Sequence, residues 1–289
     1  MLAATRAVDP WAWHAHPEVA ILFVTVLGLY FTALRRLGTR LVGPGEAIAT
    51  RRQVAVFLTG VVLLWAVSEW PIHDIAERYL FSVHMFQHMV MTLVAPPLLI
   101  RGTPDWLVRW LVVRPPRVYA VVRRLGRPIA AGVIFNVVLA FTHWPALVDA
   151  ALRSEPLHFG VHLLSFSTAM LMWLPVFNLL PELPRLGYPM RMVYLFLQSL
   201  IPTVPASFLT FAEHPVYKFY GHVPRPFALG VLDDQQLAGA MMKVGGGIIL
   251  WTLIFITFFK WYGQSQQGDP ATLTWADVER ELAQTNPIP

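Results

Sequence analysis

Seven stretches of largely apolar residues are set along this chain, separated by short segments where charge, proline and glycine collect. They run over 17–35, 53–71, 82–101, 128–148, 156–178, 190–212 and 237–260, each near the ~20 residues a helix needs to cross the hydrocarbon core of a bilayer. Only Asp149, Arg153, Glu155 and Pro156 part the fourth stretch from the fifth. A single helix across both would be about 75 Å long, so the pattern reads as two crossings. The predicted fold is all-α: a polytopic membrane helix bundle with seven transmembrane helices over residues 1–262, followed by a short polar tail, 263–289, in which Thr274 and Asp277 could cap a short helix.

Charge orients the bundle. Arg35, Arg36, Arg40, Arg51 and Arg52 fall in the first loop, and seven arginines from Arg101 to Arg127 in the third. The alternate loops carry mixed charge around Asp74, Asp149 and Glu213 without a basic excess. Positive loops stay cytoplasmic, which places the N-terminus outside and the C-terminal tail inside. Residues 1–16 lack the basic and apolar regions of a cleaved signal peptide, so the first stretch is expected to remain as a span. Trp106, Leu107, Trp110 and Leu111 have the spacing of an amphipathic helix lying among inner headgroups.

Composition agrees with the pattern: 56% of the residues are hydrophobic and 13% charged, too apolar for a soluble domain of this size. The net charge of +5 is carried by short segments between apolar runs. It therefore reads as a topology signal and not as a nucleic-acid surface. There is no cysteine, which excludes disulfides and thiolate ligands. Any metal site must be built from imidazole, thioether and carboxylate, pointing to copper or zinc.

All ten histidines fall at or just inside the predicted outer surface. His84/His88 and His158/His162 are i, i+4 pairs on two different spans, and such spacing sets both side chains on one helix face roughly 5–6 Å apart. Gln87 and Met91 continue the first stripe; Ser165 continues the second. His143 ends the fourth span. The seventh opens with Asp233, Asp234, Gln235 and Gln236, then Met241 and Met242, which could add a carboxylate or thioether or could simply cap and pack the helix. Met85 and Met89 are read as packing residues, and His14, His16, His73, His214 and His222 as solvated. Pro96, Pro97, Pro175, Pro202 and Pro205 are set to kink their spans.

The runs HMFQHMVMTLVAPPLLIRGTP (84–104), THWPALVDAALRSEPLHFGVHLLSF (142–166) and LDDQQLAGAMM (232–242) resemble the multi-span CtaG family of cytochrome c oxidase assembly factors, which are distinct from the single-span copper chaperones sharing that name. The resemblance implies a seven-helix protein of the bacterial plasma membrane that helps mature a haem-copper oxidase by supplying copper. It implies the oxidase catalytic subunit as partner and is compatible with a periplasmic copper donor. The family's histidine motif falls on His84, His88, His143, His158 and His162, and its seventh-span motif on Asp234, Gln235, Gln236 and Gly239. Lys243 departs from it, standing where an aromatic residue is expected.

The expected function is thus delivery of copper, as Cu(I), from a His/Met cluster, by ligand exchange or scaffolding instead of catalysis. Two other chemistries fit the same residues. An intramembrane zinc hydrolase would need a general base, for which Asp234 or Glu69 would have to serve. A haem-binding cytochrome would draw its axial ligands from both histidine pairs. Transport of copper fully inward is disfavoured, because the inner halves of the spans lack matching ligands.

Overall fold

The computed structural model describes residues 9–178 and 180–267; among these, helices are the only regular elements and there is no strand. Six helices are long and apolar enough to cross a membrane: Pro17–Leu41, Arg51–Ser68, Phe81–Gly102, Glu155–Phe177, Tyr188–Thr210 and Val231–Gln266. These correspond to the first, second, third, fifth, sixth and seventh stretches of the sequence. The fourth is a bent pair, Pro116–Leu125 and Pro128–Thr142, turning by 80°. The residues proposed to cap a helix in the tail, Thr274 and Asp277, lie outside the described residues.

Local chemistry sets the helix ends. The second span opens with a capping box, in which Thr50 Oγ1 accepts from the Gln53 amide at 3.1 Å and Gln53 Oε1 from the Thr50 amide at 2.9 Å. Pro17, Pro128, Pro145, Pro156 and Pro189 each sit in the first turn of a helix, where the missing N–H costs nothing. Pro145 also corrects the fourth span, expected to run to 148. The residue before a proline is driven out of the α region, so the helix ends at Thr142, Trp144 is extended, and a separate helix, Pro145–Ala151, begins. A further short helix, Ile72–Arg78, occupies what the sequence pattern left as an outer loop.

Several spans contain a wider π-turn, among them 90–94 in the third and 241–245 in the seventh. Beside the first of these, Pro96 cannot donate to the Thr92 carbonyl. The indole of Trp173 on the fifth span does so instead, at 2.8 Å, satisfying a group that lipid could not. The third span runs through the middle of the bundle, packed against the second, fifth and seventh. One apolar cluster joins spans one to three around Tyr30 and Phe57, and another joins the remainder around Trp173 and Leu195. Gly239 lets the seventh span close on the sixth, since a Cβ there would stand 2.7 Å from the Thr210 amide nitrogen. Large apolar side chains such as Ile129, Phe208 and Phe211 point outward, as a lipid-facing surface requires.

Trp173→Phe should lower stability by about 1–3 kcal/mol through the orphaned Thr92 carbonyl and lost packing, read as an earlier midpoint of unfolding in detergent. An unchanged midpoint would show that the carbonyl finds another donor.

Candidate metal centre

The third span begins abruptly. Leu80 is extended and Phe81 starts the helix, whose first amides are capped from another span. Asp234 Oδ2 accepts from the Phe81 amide at 2.9 Å, and Oδ1 accepts from the Ser82 amide at 3.0 Å and the Ser82 hydroxyl at 2.6 Å. Arg225 adds an ion pair at 3.5 Å. With its start fixed, the helix presents His84 and His88 one turn apart, ring centroids separated by 4.6 Å.

The fifth span faces them. His162 has its ring 5.8 Å from His84 and 4.7 Å from His88. One nitrogen from each of His84, His88 and His162 falls within 4.8 Å of the others. Imidazole–metal bonds of about 2 Å ask only a small contraction of that group. His84 Nδ1 and His88 Nε2 are buried without a hydrogen-bond partner among the described residues. Buried nitrogens so placed are costly unless something else takes them up, and the donor set suits a copper or zinc ion.

His158 and His143 flank this triad. His158 Nδ1 lies 2.6 Å from Glu77 Oε1, and a carboxylate accepts, so Nδ1 is the donor there and the other ring nitrogen, Nε2, is turned to its neighbour on the same helix. That nitrogen meets His162 Nε2 at 2.8 Å. Glu77 Oε1 also stands 3.2 Å from His73 Nε2, and His73 Nδ1 is 3.3 Å from the Gln87 amide nitrogen. Burial raises the pKa of Glu77, but the bond to His158 and the nearby imidazoles outweigh it and hold the carboxyl below its ordinary value. His143 donates from Nδ1 to the Leu139 carbonyl at 2.7 Å, leaving Nε2 free, and its ring is 6.1 Å from that of His88. In metal sites a ligand imidazole is commonly held in orientation by just such a carboxylate or carbonyl accepting from its other nitrogen.

Other residues singled out from the sequence are placed elsewhere. Met91 packs with Phe23, Tyr30 and Phe57, because the π-turn beginning at Val90 advances each residue by less than an α-helix does and rotates it off the histidine stripe. Asp234 is occupied as a helix cap. Two cavities adjoin the histidines, of about 70 and 20 Å³; Met241 lines neither, whereas Met242 lines the 70 Å³ one. Lys243 points outward, its Nζ 5.6 Å over the Phe211 ring, so its charge is directed away from the histidines. Gln235 accepts from the Val216 and Tyr217 amides at 2.8 and 3.1 Å and donates to the Tyr217 carbonyl at 2.9 Å. Gln236 donates to the Ala212 carbonyl at 2.9 Å. His214 and His222 stay at the surface.

His73 and Glu77 were missed. Their i, i+4 spacing, beside Asp74 and Arg78 at the same spacing, was the available signal for a short polar helix. It docks the N-terminal segment, with His16 Nε2 3.2 Å from Asp74 Oδ2, and the same segment reaches the loop before the seventh span, where Trp11 meets Phe227 edge-on.

These features define a membrane-length helical bundle with an imidazole group enclosed between its spans. Residues 28–264 match the cytochrome c oxidase caa3 assembly factor family (Caa3_CtaG), and the chain belongs to it. Similar relatives include an uncharacterized protein of Mycobacterium bovis and another of Mycobacterium tuberculosis, each 28% identical over 240 residues and covering 77% of this chain. The matched region spans only 33% of either relative. No solved structure matches.

Asp234→Asn should weaken the cap and lower the unfolding midpoint while leaving metal stoichiometry unchanged; loss of metal at an unchanged midpoint would make Asp234 a ligand instead. Burial opposes protonation of His16, but the bond and charge of Asp74 outweigh it and raise its pKa. A raised pKa stabilises the docked state fully below the ordinary value of about 6.5, and this contribution is lost as pH climbs through the raised value. A spin label on Ala12→Cys should therefore grow more mobile as pH rises through that window, and His16→Gln should remove the pH dependence.

Proposed function

We propose that the protein is a copper-handling assembly factor for a haem-copper oxidase in the bacterial plasma membrane, with the histidines toward the outer face, the N-terminus outside and the C-terminus inside. The observation that carries this reading is the convergence of His84, His88 and His162 within 4.8 Å, with buried nitrogens left unpartnered, in a member of an oxidase assembly family.

The chemistry favours Cu(I). The triad contains no carboxylate; Glu77 stands behind His158 rather than among the ligands. A buried monovalent ion leaves less uncompensated charge there than a divalent one. Two or three imidazoles hold Cu(I) without trapping it, and the flanking His158 and His143 supply nitrogens that can replace a departing one. Transfer then proceeds by ligand exchange, from a copper donor on the outer side to the oxidase catalytic subunit within the membrane.

The other readings find less support. For zinc hydrolysis, Asp234 is committed to capping and Glu69 accepts from the Trp65 indole at 3.2 Å. For haem, the cavities bounded by these histidines measure about 70 and 20 Å³, small beside the ~300–1,000 Å³ of small-molecule sites.

Protein purified and reconstituted anaerobically with Cu(I) should bind copper in preference to zinc. His84→Ala/His88→Ala and His158→Ala/His162→Ala should each abolish tight binding, and Glu77→Gln should weaken it about 10–100-fold by releasing His158. Copper that survives both double variants, or a histidine-dependent preference for zinc, would overturn the reading.

A further inference from the structure

Two cavities meet at the histidine group. The upper one, about 20 Å³, is bounded by His84, His88, His143 and His158 beneath the Pro145–Ala151 helix. The lower one, about 70 Å³, extends inward between the third, fourth, fifth, sixth and seventh spans. Met85, His88, Thr142 and His143 line both, so these four side chains form the partition between them.

At and below that partition thioethers join the imidazoles. Met85 and Met89 of the third span, Met172 of the fifth and Met242 of the seventh all line the lower cavity. These are four of the chain's ten methionines, drawn from three helices onto one space. Methionine often fills gaps in a core, but a gap-filler removes space, and here the side chains border a cavity whose lining includes His88 and Ser165, two residues whose buried Nε2 and Oγ have no partner among the described residues. His88 is only 9% exposed and Ser165 6%. His143 presents its free Nε2 at the partition, since its Nδ1 is held by the Leu139 carbonyl. The π-turns of the third and seventh spans contribute Thr92, Leu93 and Met242 to its lining. Met89 reaches across to Gly245, where a Cβ would stand 2.7 Å from its terminal methyl.

We infer that the lower cavity is a second station for a soft monovalent ion, in which Met85, Met89 and Met242, with Met172 deeper, receive Cu(I) from the imidazoles through His88 and His143. This rests on the copper reading above and extends it: the ion would be drawn into the bundle, onto soft thioether ligands that suit Cu(I), before it leaves. Thioether ligation involves no change of oxidation state and moves no proton.

The test compares the full chain with Met85→Leu/Met89→Leu/Met242→Leu, which conserves volume and polarity closely enough to preserve packing. Both are loaded anaerobically with Cu(I) against a competing chelator, and in parallel with Zn²⁺, and copper X-ray absorption is recorded at each equivalent. The wild type should take up a second equivalent of Cu(I) with sulfur in its coordination shell. The leucine variant should keep the first, nitrogen-bound equivalent, lose the second together with the sulfur signal, and bind Zn²⁺ unchanged. One equivalent with nitrogen ligands alone, or a second that persists in the variant, overturns this inference and leaves the histidine site standing. Binding of neither equivalent by the wild type overturns the reading on which it rests.

Discussion

The carboxylate of Asp234 accepts three hydrogen bonds from the first turn of the third span while lying on the seventh. A helix start buried in this way leaves orphan amides that water cannot reach, and an anion at the positive end of the helix is the strongest available answer. The same contact ties two spans distant in sequence and fixes where the third one begins. Since His84 and His88 follow one and two turns later, their depth and direction are set by this single carboxylate. Arg225 pairs with it at 3.5 Å and in turn binds the carbonyls of Tyr79, Leu229 and Gly230, so the loop before the seventh span is closed onto the same point.

Gln235 extends that arrangement outward. Its side chain holds the segment around Tyr217, whose hydroxyl donates to the His143 carbonyl at 3.1 Å, while the neighbouring Tyr220 donates to the Ala76 carbonyl at 2.7 Å. Both tyrosine hydroxyls are pushed to higher pKa by burial, which keeps them neutral donors. One grips the end of the fourth span and the other the helix that carries Glu77. The seventh-span motif thus organises the histidine group from behind, and the residues in contact with an ion would be supplied by the third and fifth spans.

Much of this was legible in the sequence because membranes impose simple rules. Length and apolarity marked six helices directly, and the i, i+4 histidine pairs announced a shared face on each of two spans. Convergence of the pairs was not legible, since helical spacing says nothing about which face meets which neighbour. Three other features were hidden for separable reasons. The third span's π-turn moved Met91 away from the stripe on which regular spacing had placed it. Asp234 was chemically able to bind a metal, but a buried helix terminus claimed it. His73 and Glu77 lay in a segment too short and too polar to register as an element, although their spacing matched that of the span histidines. Pro145, by contrast, did declare the end of the fourth helix, and a stricter reading of the residue before it would have stopped the span at Thr142.

A π-turn is one residue more than an α-helix needs to cover the same rise, so the helix above and the helix below it are out of register. In the third span this falls at Val90–Val94, beginning two residues after His88. The span behaves as two half-helices sharing an axis but not a phase. Substitutions within and below the turn, where Met91 and Ala95 pack toward the first two spans, can drift with that packing without rotating the imidazoles above it. The chain thereby has a place where the evolution of its scaffold is uncoupled from that of its chemistry.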